Sequence, residues 1–258
     1  MLDRNFHTHT PRCKHAEGSE REYIEEAIAK GFRTLGFSDH TPQPFKDGFV
    51  SSIRMDMEEL DGYVETLLHL REEYRDRIDI KIGLEVEYYP SYFKELMREI
   101  LQRPIEYIIL GQHFVPDEID GFYAGIATAS EDKLREYVDL TIRGLETGYF
   151  SYLAHPDLLN FTGNDNIYRK EMERLCVFCR DHQIPLEVNI FGYTTRRHYP
   201  RREFLKLASE LGCRFIIGCD AHSPDALVHP EDVPGFERLL SECGVQYTQE
   251  INLDKLQH

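Results

Sequence analysis

The chain has 258 residues, of which 41% are hydrophobic and 29% charged, a balance typical of a globular protein with a sizeable core. Its 30 Lys and Arg residues face 46 Asp and Glu residues, which gives a formal net charge of −16 at pH 7. This surplus of acid argues against a nucleic-acid-binding surface, where a basic patch is expected, but it allows a small phosphorylated substrate because a bound metal can reverse the local field.

Targeting and membrane-spanning patterns are not evident in the sequence. The N-terminal residues MLDRNFHTHTP lack the positive region and apolar run of a signal peptide, and no window is apolar enough to cross a bilayer. The six cysteines have no disulfide-like spacing, and the CxxC of Cys176 and Cys179 lies in a helical pattern, where it is interpreted as two ordinary helix residues. We therefore expect a cytoplasmic protein without a membrane partner. The sequence leaves the oligomeric state open.

Short apolar, β-prone runs alternate with helical patterns along the whole chain. Strands are predicted at residues 2–6, 34–37, 81–86, 107–110, 150–154, 186–190 and 214–218. Helices are predicted at residues 20–31, 57–77, 91–103, 130–148, 166–182 and 200–212. Seven such βα units favour a parallel α/β barrel, closed or nearly so, with an open doubly wound sheet as the alternative. No linker divides the chain, so residues 1–258 are predicted to form one domain, with a long loop at 41–53 that could partly cover a site.

Histidines and acids gather where the predicted strands end. Six of the seven strands run into such residues, and the seventh ends at Asn189. The residues are His7, His9, Asp39, His40, Glu85, Glu87, His113, His155, Asp157, Asp220 and His222. A single histidine in such a place is usually a surface or capping residue. Seven of the twelve histidines, with His15 included, lie at or just beyond these strand ends, however, and parallel sheets place active sites at this edge.

The spacing of these residues favours metal binding. In the HTH motif, alternation along an extended chain sends His7 and His9 to the same side. Imidazoles combined with carboxylates suit zinc, iron or manganese. Cys13 and Cys219 lie beside these residues but out of register, and they are not included.

The number of candidate ligands exceeds what one ion needs. A tetrahedral zinc takes about four ligands, so two or three metals are expected. Glu85, the acid in the middle of the strand order, is the natural bridge between them. Paired metals can hold a hydroxide at neutral pH and clamp the oxygens of an in-line displacement at phosphorus.

The motifs also resemble a known family. HTHTPRCKHA, SDHTP, GLEVEYYP, LGQHF, AHPDLL, EVN and GCDAHSPDAL are similar, in order and spacing, to those of the PHP (polymerase and histidinol phosphatase) superfamily, above all its histidinol-phosphate phosphatase branch. The resemblance extends from Phe6 to Leu227. It implies a distorted (β/α)7 barrel with a metal cluster, usually trinuclear, at the C-terminal edge of the strands. The implied ligand sets are His7, His9, Glu85 and Asp220 for one metal, His15, His40 and His222 for a second, and Glu85, His113 and His155 for a third.

One departure from the family pattern concerns the phosphate. Members of this branch often carry a basic residue shortly after the fifth-strand histidine, where this chain has Asn160 and Phe161. Phosphate binding is then expected to depend on the TTRRHYPRR segment after the sixth strand, because arginine has a planar fork suited to phosphate oxygens. Arg196 and Arg197 are the candidates, together with His198. Arg201 and Arg202 are expected to face solvent on the next helix. The alternative is that the segment is only a solvated loop.

The resemblance implies a metal-dependent phosphomonoesterase of histidine biosynthesis, with L-histidinol phosphate as the leading substrate. Asp39 is a candidate to orient the His40 ring or to shuttle a proton. Glu87, Glu118 and Asp120 are placed on loops and expected to be solvated. One alternative is a phosphoesterase of the same family that acts on another small phosphate ester or a nucleotide. The other is a non-catalytic metal-binding regulatory module, against which the complete set of nine ligands argues.

Overall fold

The computed structural model describes residues 2–46 and 48–256 and contains one parallel sheet that curls into a distorted barrel. In sheet order its strands are β1 (Arg4–Asn5), β2 (Thr34–His40), β3 (Asp79–Val86), β4 (Tyr107–Leu110), β7 (Phe150–Leu153), β8 (Leu186–Asn189), β9 (Phe215–Gly218) and β10 (Tyr247–Thr248). A separate antiparallel hairpin joins β5 (Phe114–Val115) to β6 (Phe122–Tyr123). All seven predicted strands are present, and the barrel-type fold is confirmed. The eighth parallel strand, β10, was not predicted because two residues carry no alternation.

Helices fill the connections between the strands. They are α1 (Glu20–Ala29), α2 (Leu60–Tyr74), α3 (Phe93–Leu101), α4 (Glu131–Glu146), α5 (Asp165–Asp181), α6 (Ile190–Thr194), α7 (Arg202–Glu210) and α8 (Phe236–Glu242). The start of α1 shows why the sequence forms a helix there, because Ser19 and Glu22 make a reciprocal capping box. Among the described residues no helix is long and apolar enough to cross a membrane.

The two ends of the barrel wall meet just beyond β1 and β9. Thr8 and Ala221 form a parallel bridge, in which the backbone N–H of His9 donates to the carbonyl of Ala221 at 2.9 Å. Below this bridge β10 pairs with β9, with Tyr247 beside Phe215. The loops that carry His7, His9, Asp220 and His222 are thereby brought side by side.

Alternation along the strands separates the core from the site. On β3, Ile82, Leu84 and Val86 pack in the large core between the sheet and the helices, whereas Glu85 between them points the other way, into the barrel. Tyr107, whose hydroxyl donates to the carbonyl of Phe6 at 2.9 Å, belongs to a second, smaller cluster of buried apolar residues. The inward-facing Glu85 thus lies apart from the apolar core, at the C-terminal end of β3.

Candidate metal centre and pocket

The nine residues predicted as metal ligands lie together at the C-terminal edge of the barrel. Eight of them end or follow strands, and His15 comes from the loop before α1. The strand-borne members are His7, His9, His40, Glu85, His113, His155, Asp220 and His222. The rings are in close contact, since His9 and His222 stack with centroids 4.1 Å apart and His113 lies 4.8 Å from His155.

Glu85 lies at the centre of this cluster and is 1% exposed. Its Oε1 is 2.8 Å from Nε2 of His155 and 3.6 Å from Nε2 of His7. Its Oε2 is 3.0 Å from Nδ1 of His40 and 3.6 Å from Nε2 of His9. The two oxygens therefore face different groups of imidazoles, as a carboxylate between two cations must.

Asp220 faces the two histidines that follow β1. Its Oδ1 lies 3.4 Å from Nε2 of His7 and 3.0 Å from Nε2 of His9. One ligand atom from each of these three residues lies within 4.8 Å of the others, close enough to share an ion. Two further groups have the same property, namely His9, His40 and His222, and His7, Glu85 and His155.

His15 and His222 form the outer part of the cluster. Nε2 of one ring lies 3.1 Å from Nε2 of the other, while Nδ1 of His15 contacts the carbonyl of Cys13 at 2.7 Å. Each ring is thus held from behind at Nδ1 and presents Nε2 to its partner. This arrangement suits a cation between the two rings.

Several inward-facing atoms of the cluster are buried without a hydrogen-bond partner. They include Nε2 of His7, Nε2 of His9 and Oε2 of Glu85, whose neighbouring side-chain atoms at 3.0–3.6 Å are not aligned for a hydrogen bond. Leaving a buried polar atom unpaired is costly, and native folds rarely do so without a bound group. Imidazole nitrogens and carboxylate oxygens are ligands for zinc, manganese and iron. The residues present therefore fit a metal centre by their chemistry.

A carboxylate that the sequence analysis missed supports the cluster from behind. Oε1 of Glu187, on β8, lies 2.7 Å from Nδ1 of His7, and its Oε2 accepts the backbone N–H of His155 at 2.9 Å and the side chain of Asn189 at 2.8 Å. The contact with Nδ1 leaves Nε2 of His7 to face the cluster. The signal was available, because Glu187 and Asn189 are two residues apart on one strand and must share a side.

Two glycines make room for these inward carboxylates. A Cβ on Gly111 would lie 1.9 Å from Oε1 of Glu85, and a Cβ on Gly218 would lie 1.8 Å from Oε1 of Glu187. Both glycines sit at or just after the end of the neighbouring strand. The close approach requires that no side chain project there.

The backbone is strained at two members of the cluster. His155 and Asp220 have φ values of 26° and 51°, in the left-handed region that non-glycine residues seldom adopt. Such strain persists only where the surrounding structure enforces it, and it concentrates at functional sites. At His155 the hydrogen bond to Glu187 provides part of that constraint.

Asp39 orients His9 and not the ring of His40, so the predicted contact was wrong. Its Oδ1 lies 3.4 Å from Nδ1 of His9 and accepts the backbone N–H of His40 at 2.8 Å, while its Oδ2 accepts the hydroxyl of Thr10. Nδ1 of His40 faces Glu85 instead. Asp39 is completely buried behind the rings, which is a position for holding a ligand in place.

The carboxylates divide the rings into two electrostatic classes. Burial opposes a charge on His7, yet Glu187, Asp220 and Glu85 outweigh it and hold the pKa of His7 well above its ordinary value. Burial likewise opposes a charge on His9, but Asp220 and Asp39 raise the pKa of His9 to about 9. At the outer rings burial dominates and lowers the pKa of His222 to about 3. These shifts favour the charged form of the inner rings and the neutral form of the outer ones.

Glu87 and Glu118 are not solvated, contrary to expectation, because a buried arginine pairs with both. Nη2 of Arg54 donates to Glu87 at 2.7 Å and its Nε donates to Glu118 at 2.6 Å. Arg54 and Glu87 are each 1% exposed, and Glu87 also lies 3.3 Å from Nδ1 of His113. Burial opposes the charge of Glu87, but Arg54 lowers its pKa to about 2. Asp120 is exposed, as expected.

A pocket of about 530 Å³ opens over the cluster. Five members of the cluster line it, namely His15, His40, His113, Asp220 and His222. The other lining residues are Ile53, Phe114, Tyr123, Leu158, Phe191, Arg197 and Tyr199. The pocket thus combines a polar base with apolar and aromatic walls, and Ile53 shows that the long predicted loop contributes to its cover.

The PHP domain family model matches residues 5–190, about 70% of the chain. This chain belongs to the PHP domain family. The predicted membership is confirmed, and the match extends from Asn5 in β1 to the end of β8.

Relatives of this PHP domain include histidinol-phosphatases. A probable histidinol-phosphatase of Deinococcus radiodurans is 28% identical over 246 residues, which cover 89% of this chain and 93% of that protein. The histidinol-phosphatase of Lactococcus lactis subsp. lactis is 29% identical over 237 residues, 86% of this chain and 84% of that protein. A crystal structure of histidinol phosphate phosphatase from the same subspecies, complexed with zinc, L-histidinol and phosphate, matches with a TM-score of 0.73 at 20% identity, over 97% of this chain and 99% of that one. The structural likeness shows a shared fold.

In this PHP domain the arginine-rich segment after β8 is only partly directed at the pocket. Arg197 lines the pocket, with its guanidinium 4.9 Å from the ring centre of Phe191. Arg196 is exposed and is not among the lining residues described. Nε2 of His198 lies 2.6 Å from the carbonyl of Leu158, so this ring fastens the segment to the loop after β7.

Arg201 is half-buried, whereas solvent exposure was predicted. Its backbone N–H donates to Asp157 at 2.5 Å, its Nη1 donates to the carbonyl of Phe161 at 3.0 Å, and its guanidinium lies 4.1 Å from the ring centre of Tyr168. Arg202 is exposed, as expected, and pairs with Glu242. The segment is therefore anchored at the C-terminal end of the arginine run.

Cys13 lies beside the cluster although the sequence pattern set it aside. Its Sγ and one nitrogen each of His15 and His222 lie within 4.8 Å of one another. Burial raises the pKa of Cys13 far above its ordinary value, which keeps it a thiol. Cys176 and Cys179 are buried and free within α5, in line with the prediction of two ordinary helix residues, and Cys219 is also buried and free.

Proposed function

We propose that this protein is a metal-dependent phosphomonoesterase that hydrolyses L-histidinol phosphate to L-histidinol and phosphate, a reaction of histidine biosynthesis. The observation that carries the proposal is the set of buried, unpartnered nitrogen and oxygen atoms below an aromatic-walled pocket. Relatives named histidinol-phosphatase over most of both chains support the choice of substrate.

The proposed ligands are the nine clustered residues, which would hold two or three divalent ions. His7, His9, Glu85 and Asp220 would hold one, His15, His40 and His222 a second, and Glu85, His113 and His155 a third. Zinc is favoured by the zinc in the related structure, with manganese and iron as further candidates. When bound, the ions would supply Lewis acidity and a nucleophile at neutral pH.

The remaining lining residues would position the ester. Arg197 is the cation of the pocket wall and would bind the phosphoryl oxygens that the ions leave free. Phe114, Tyr123 and Phe191 offer flat apolar surfaces for an imidazole ring. A volume of about 530 Å³ is within the range of sites for small molecules.

Phosphate release from a panel of monoesters tests the proposal. The protein is stripped with a chelator, reloaded separately with Zn²⁺, Mn²⁺ or Fe²⁺, and given L-histidinol phosphate, other small phosphate esters and nucleoside monophosphates. We expect L-histidinol phosphate to have the highest kcat/KM, and Glu85→Gln to retain its fold but lose metal and turnover. A higher kcat/KM for a nucleotide would show that the nucleotide, and not L-histidinol phosphate, is the preferred substrate. Absence of hydrolysis with every metal would refute the proposed phosphatase activity.

Arg197→Ala and Arg196→Ala form a matched pair for the phosphate contact. Loss of a charge-assisted hydrogen bond costs about 1.5–3 kcal/mol, so Arg197→Ala should lower kcat/KM roughly ten- to a hundredfold with unchanged metal content. Arg196→Ala removes the same charge from the exposed neighbouring position and should stay within about twofold. Equal effects of the two substitutions would argue that only the charge of the segment matters.

A further inference from the structure

Tyr199 occupies an unusual place in the pocket wall. It lies in the loop between α6 and α7, is 4% exposed, and lines the pocket together with Arg197 and Asp220. Its ring centroid is 5.9 Å from that of His155. The side chain thus extends from the arginine-rich segment to the edge of the candidate metal centre.

The ring is held in place by its surroundings. A Cβ on Gly192 would lie 2.4 Å from Cδ2 and Cε2 of Tyr199, so the ring packs directly on the backbone of α6. The backbone N–H of Arg197 donates to the carbonyl of Gly192 at 2.9 Å, and that of Arg201 donates to Asp157 on the other side. The position of the hydroxyl is therefore fixed before any ligand arrives.

The hydroxyl of Tyr199 makes no hydrogen bond to another residue in the described part of the chain. Among the buried tyrosines, Tyr63 donates to the carbonyl of Gly83 at 2.8 Å and Tyr137 to that of Pro156 at 3.1 Å, whereas the hydroxyls of Tyr23 and Tyr168 are buried without a partner. Unlike those two hydroxyls, the hydroxyl of Tyr199 is not a fully buried unpartnered atom, in keeping with its place in the pocket wall. A tyrosine hydroxyl that faces the pocket is free to donate a hydrogen bond to a ligand.

We propose that the Tyr199 hydroxyl donates a hydrogen bond to the phosphoryl group of the substrate, beside Arg197. The inference rests on the proposed phosphatase function and adds a substrate-contacting residue to it. A phosphoryl group above the ions would lie between the cluster, at the base of the pocket, and the two wall residues. Tyr199 and Arg197 would then donate hydrogen bonds to phosphoryl oxygens that the ions leave without a contact.

Tyr199→Phe tests the contact, because it removes only the oxygen. We expect kcat/KM for L-histidinol phosphate to fall roughly ten- to a hundredfold, the range for hydrogen bonds to charged groups. The dissociation constant of inorganic phosphate, measured by calorimetry on the metal-loaded protein, should rise by a similar factor with unchanged metal content. Tyr168→Phe is the control, since its hydroxyl likewise has no hydrogen-bond partner but is buried and is not among the described pocket-lining residues.

The outcomes separate this inference from the proposed function. If the wild type hydrolyses the ester and Tyr199→Phe keeps both kcat/KM and phosphate affinity within about twofold, the Tyr199 contact is refuted and the phosphatase stands. Loss of metal from Tyr199→Phe would also refute it, by showing a structural role. If the wild type hydrolyses no monoester, the proposed function fails, and weaker phosphate binding by Tyr199→Phe would still support the hydrogen bond.

Discussion

Glu187 contacts three groups of the candidate metal centre from behind, through the ring of His7, the backbone of His155 and the side chain of Asn189. Carboxylates in this position fix the tautomer and direction of a ligand histidine. Their loss typically weakens metal binding about ten- to a hundredfold. Glu187 should therefore determine metal affinity although it contributes no atom to the ions.

Glu187→Gln is expected to bind metal about ten- to a hundredfold more weakly than the wild type, because the amide holds the His7 ring less firmly. Competition with a chromogenic chelator measures this affinity. Glu173→Gln, on the exposed face of α5, makes the same chemical change away from the cluster and should have no effect. An unchanged metal affinity in Glu187→Gln would show that Glu187 does not support the metal centre.

The raised pKa of His9 predicts how metal uptake depends on pH. Since its pKa is raised to about 9, the ring is protonated in the metal-free protein at pH 7 and must lose that proton to bind an ion. Metal affinity should therefore rise with pH up to about 9, and binding should release protons. The same shift stabilises the metal-free fold below the ordinary pKa of 6.5, and that contribution is lost as the pH rises through about 9.

Calorimetry of metal binding in buffers with different ionisation enthalpies counts the released protons. His69→Gln, a substitution at a side chain that is 80% exposed, should leave the count unchanged. A binding enthalpy that is the same in every buffer would contradict the raised pKa of the inner rings.

The roles of some single residues could be predicted from the sequence, and those of others could not. His7 and His9 were predicted to share a side from alternation alone, and the structure places both rings against Asp220. Alternation along the strand also applies to Glu187, but Glu187 was not singled out because its strand was predicted from its apolar residues. Arg54 could not have been found, because its partners lie far along the chain and an isolated arginine is usually exposed.

Among the elements, the segment between β2 and α2 depends on Arg54. This arginine also donates to the carbonyl of Thr41 at 3.2 Å, so it ties the segment to Glu87 at the end of β3 and to Glu118 after β4. Ser51 adds a hydrogen bond to Glu118 at 2.5 Å. A wall of the pocket is therefore secured by one buried cation.

Arg54→Met should destabilise the fold by about 3–5 kcal/mol, because it leaves two carboxylates buried without their cation. Urea unfolding gives the free energy. Arg169→Met breaks an exposed pair with Glu210, 3.0 Å long, and should cost no more than about 1 kcal/mol. If both substitutions cost the same, the buried network would not be holding the segment.

The elements themselves were largely predictable, since long apolar alternations and helical periods survive in the sequence. The hairpin of β5 and β6 and the strand β10 were missed, because each strand has only two residues. Such short strands exist through their neighbours, as β10 does through β9. The local sequence of such a strand does not indicate that pairing.

At the scale of the whole molecule, the candidate ligands connect both ends of the barrel wall. Ions held by these residues would bind the folded chain and not the unfolded one, so they stabilise it by mass action. At a free metal concentration of about a thousand times Kd, the free energy of unfolding rises by about 4 kcal/mol per site. Metal should therefore raise the melting temperature of the wild type well above that in chelator, as differential scanning calorimetry measures.

Glu85→Gln should lose most of this metal-dependent shift, since Glu85 faces both groups of rings. Glu173→Gln again serves as the control and should keep the full shift. Equal melting temperatures of the wild type with metal and with chelator would show that the cluster does not hold ions under these conditions.

The bridge between Thr8 and Ala221 has a consequence for biosynthesis on the ribosome. His7 and His9 leave the exit tunnel before Asp220 and His222, which are translated after nearly all of the barrel. A nascent chain can hold no complete inner ligand set until that last segment has emerged and paired with the first. Any ion held by this set would therefore bind only after Asp220 and His222 have emerged, and a product truncated before Asp220 could not hold ions in this way.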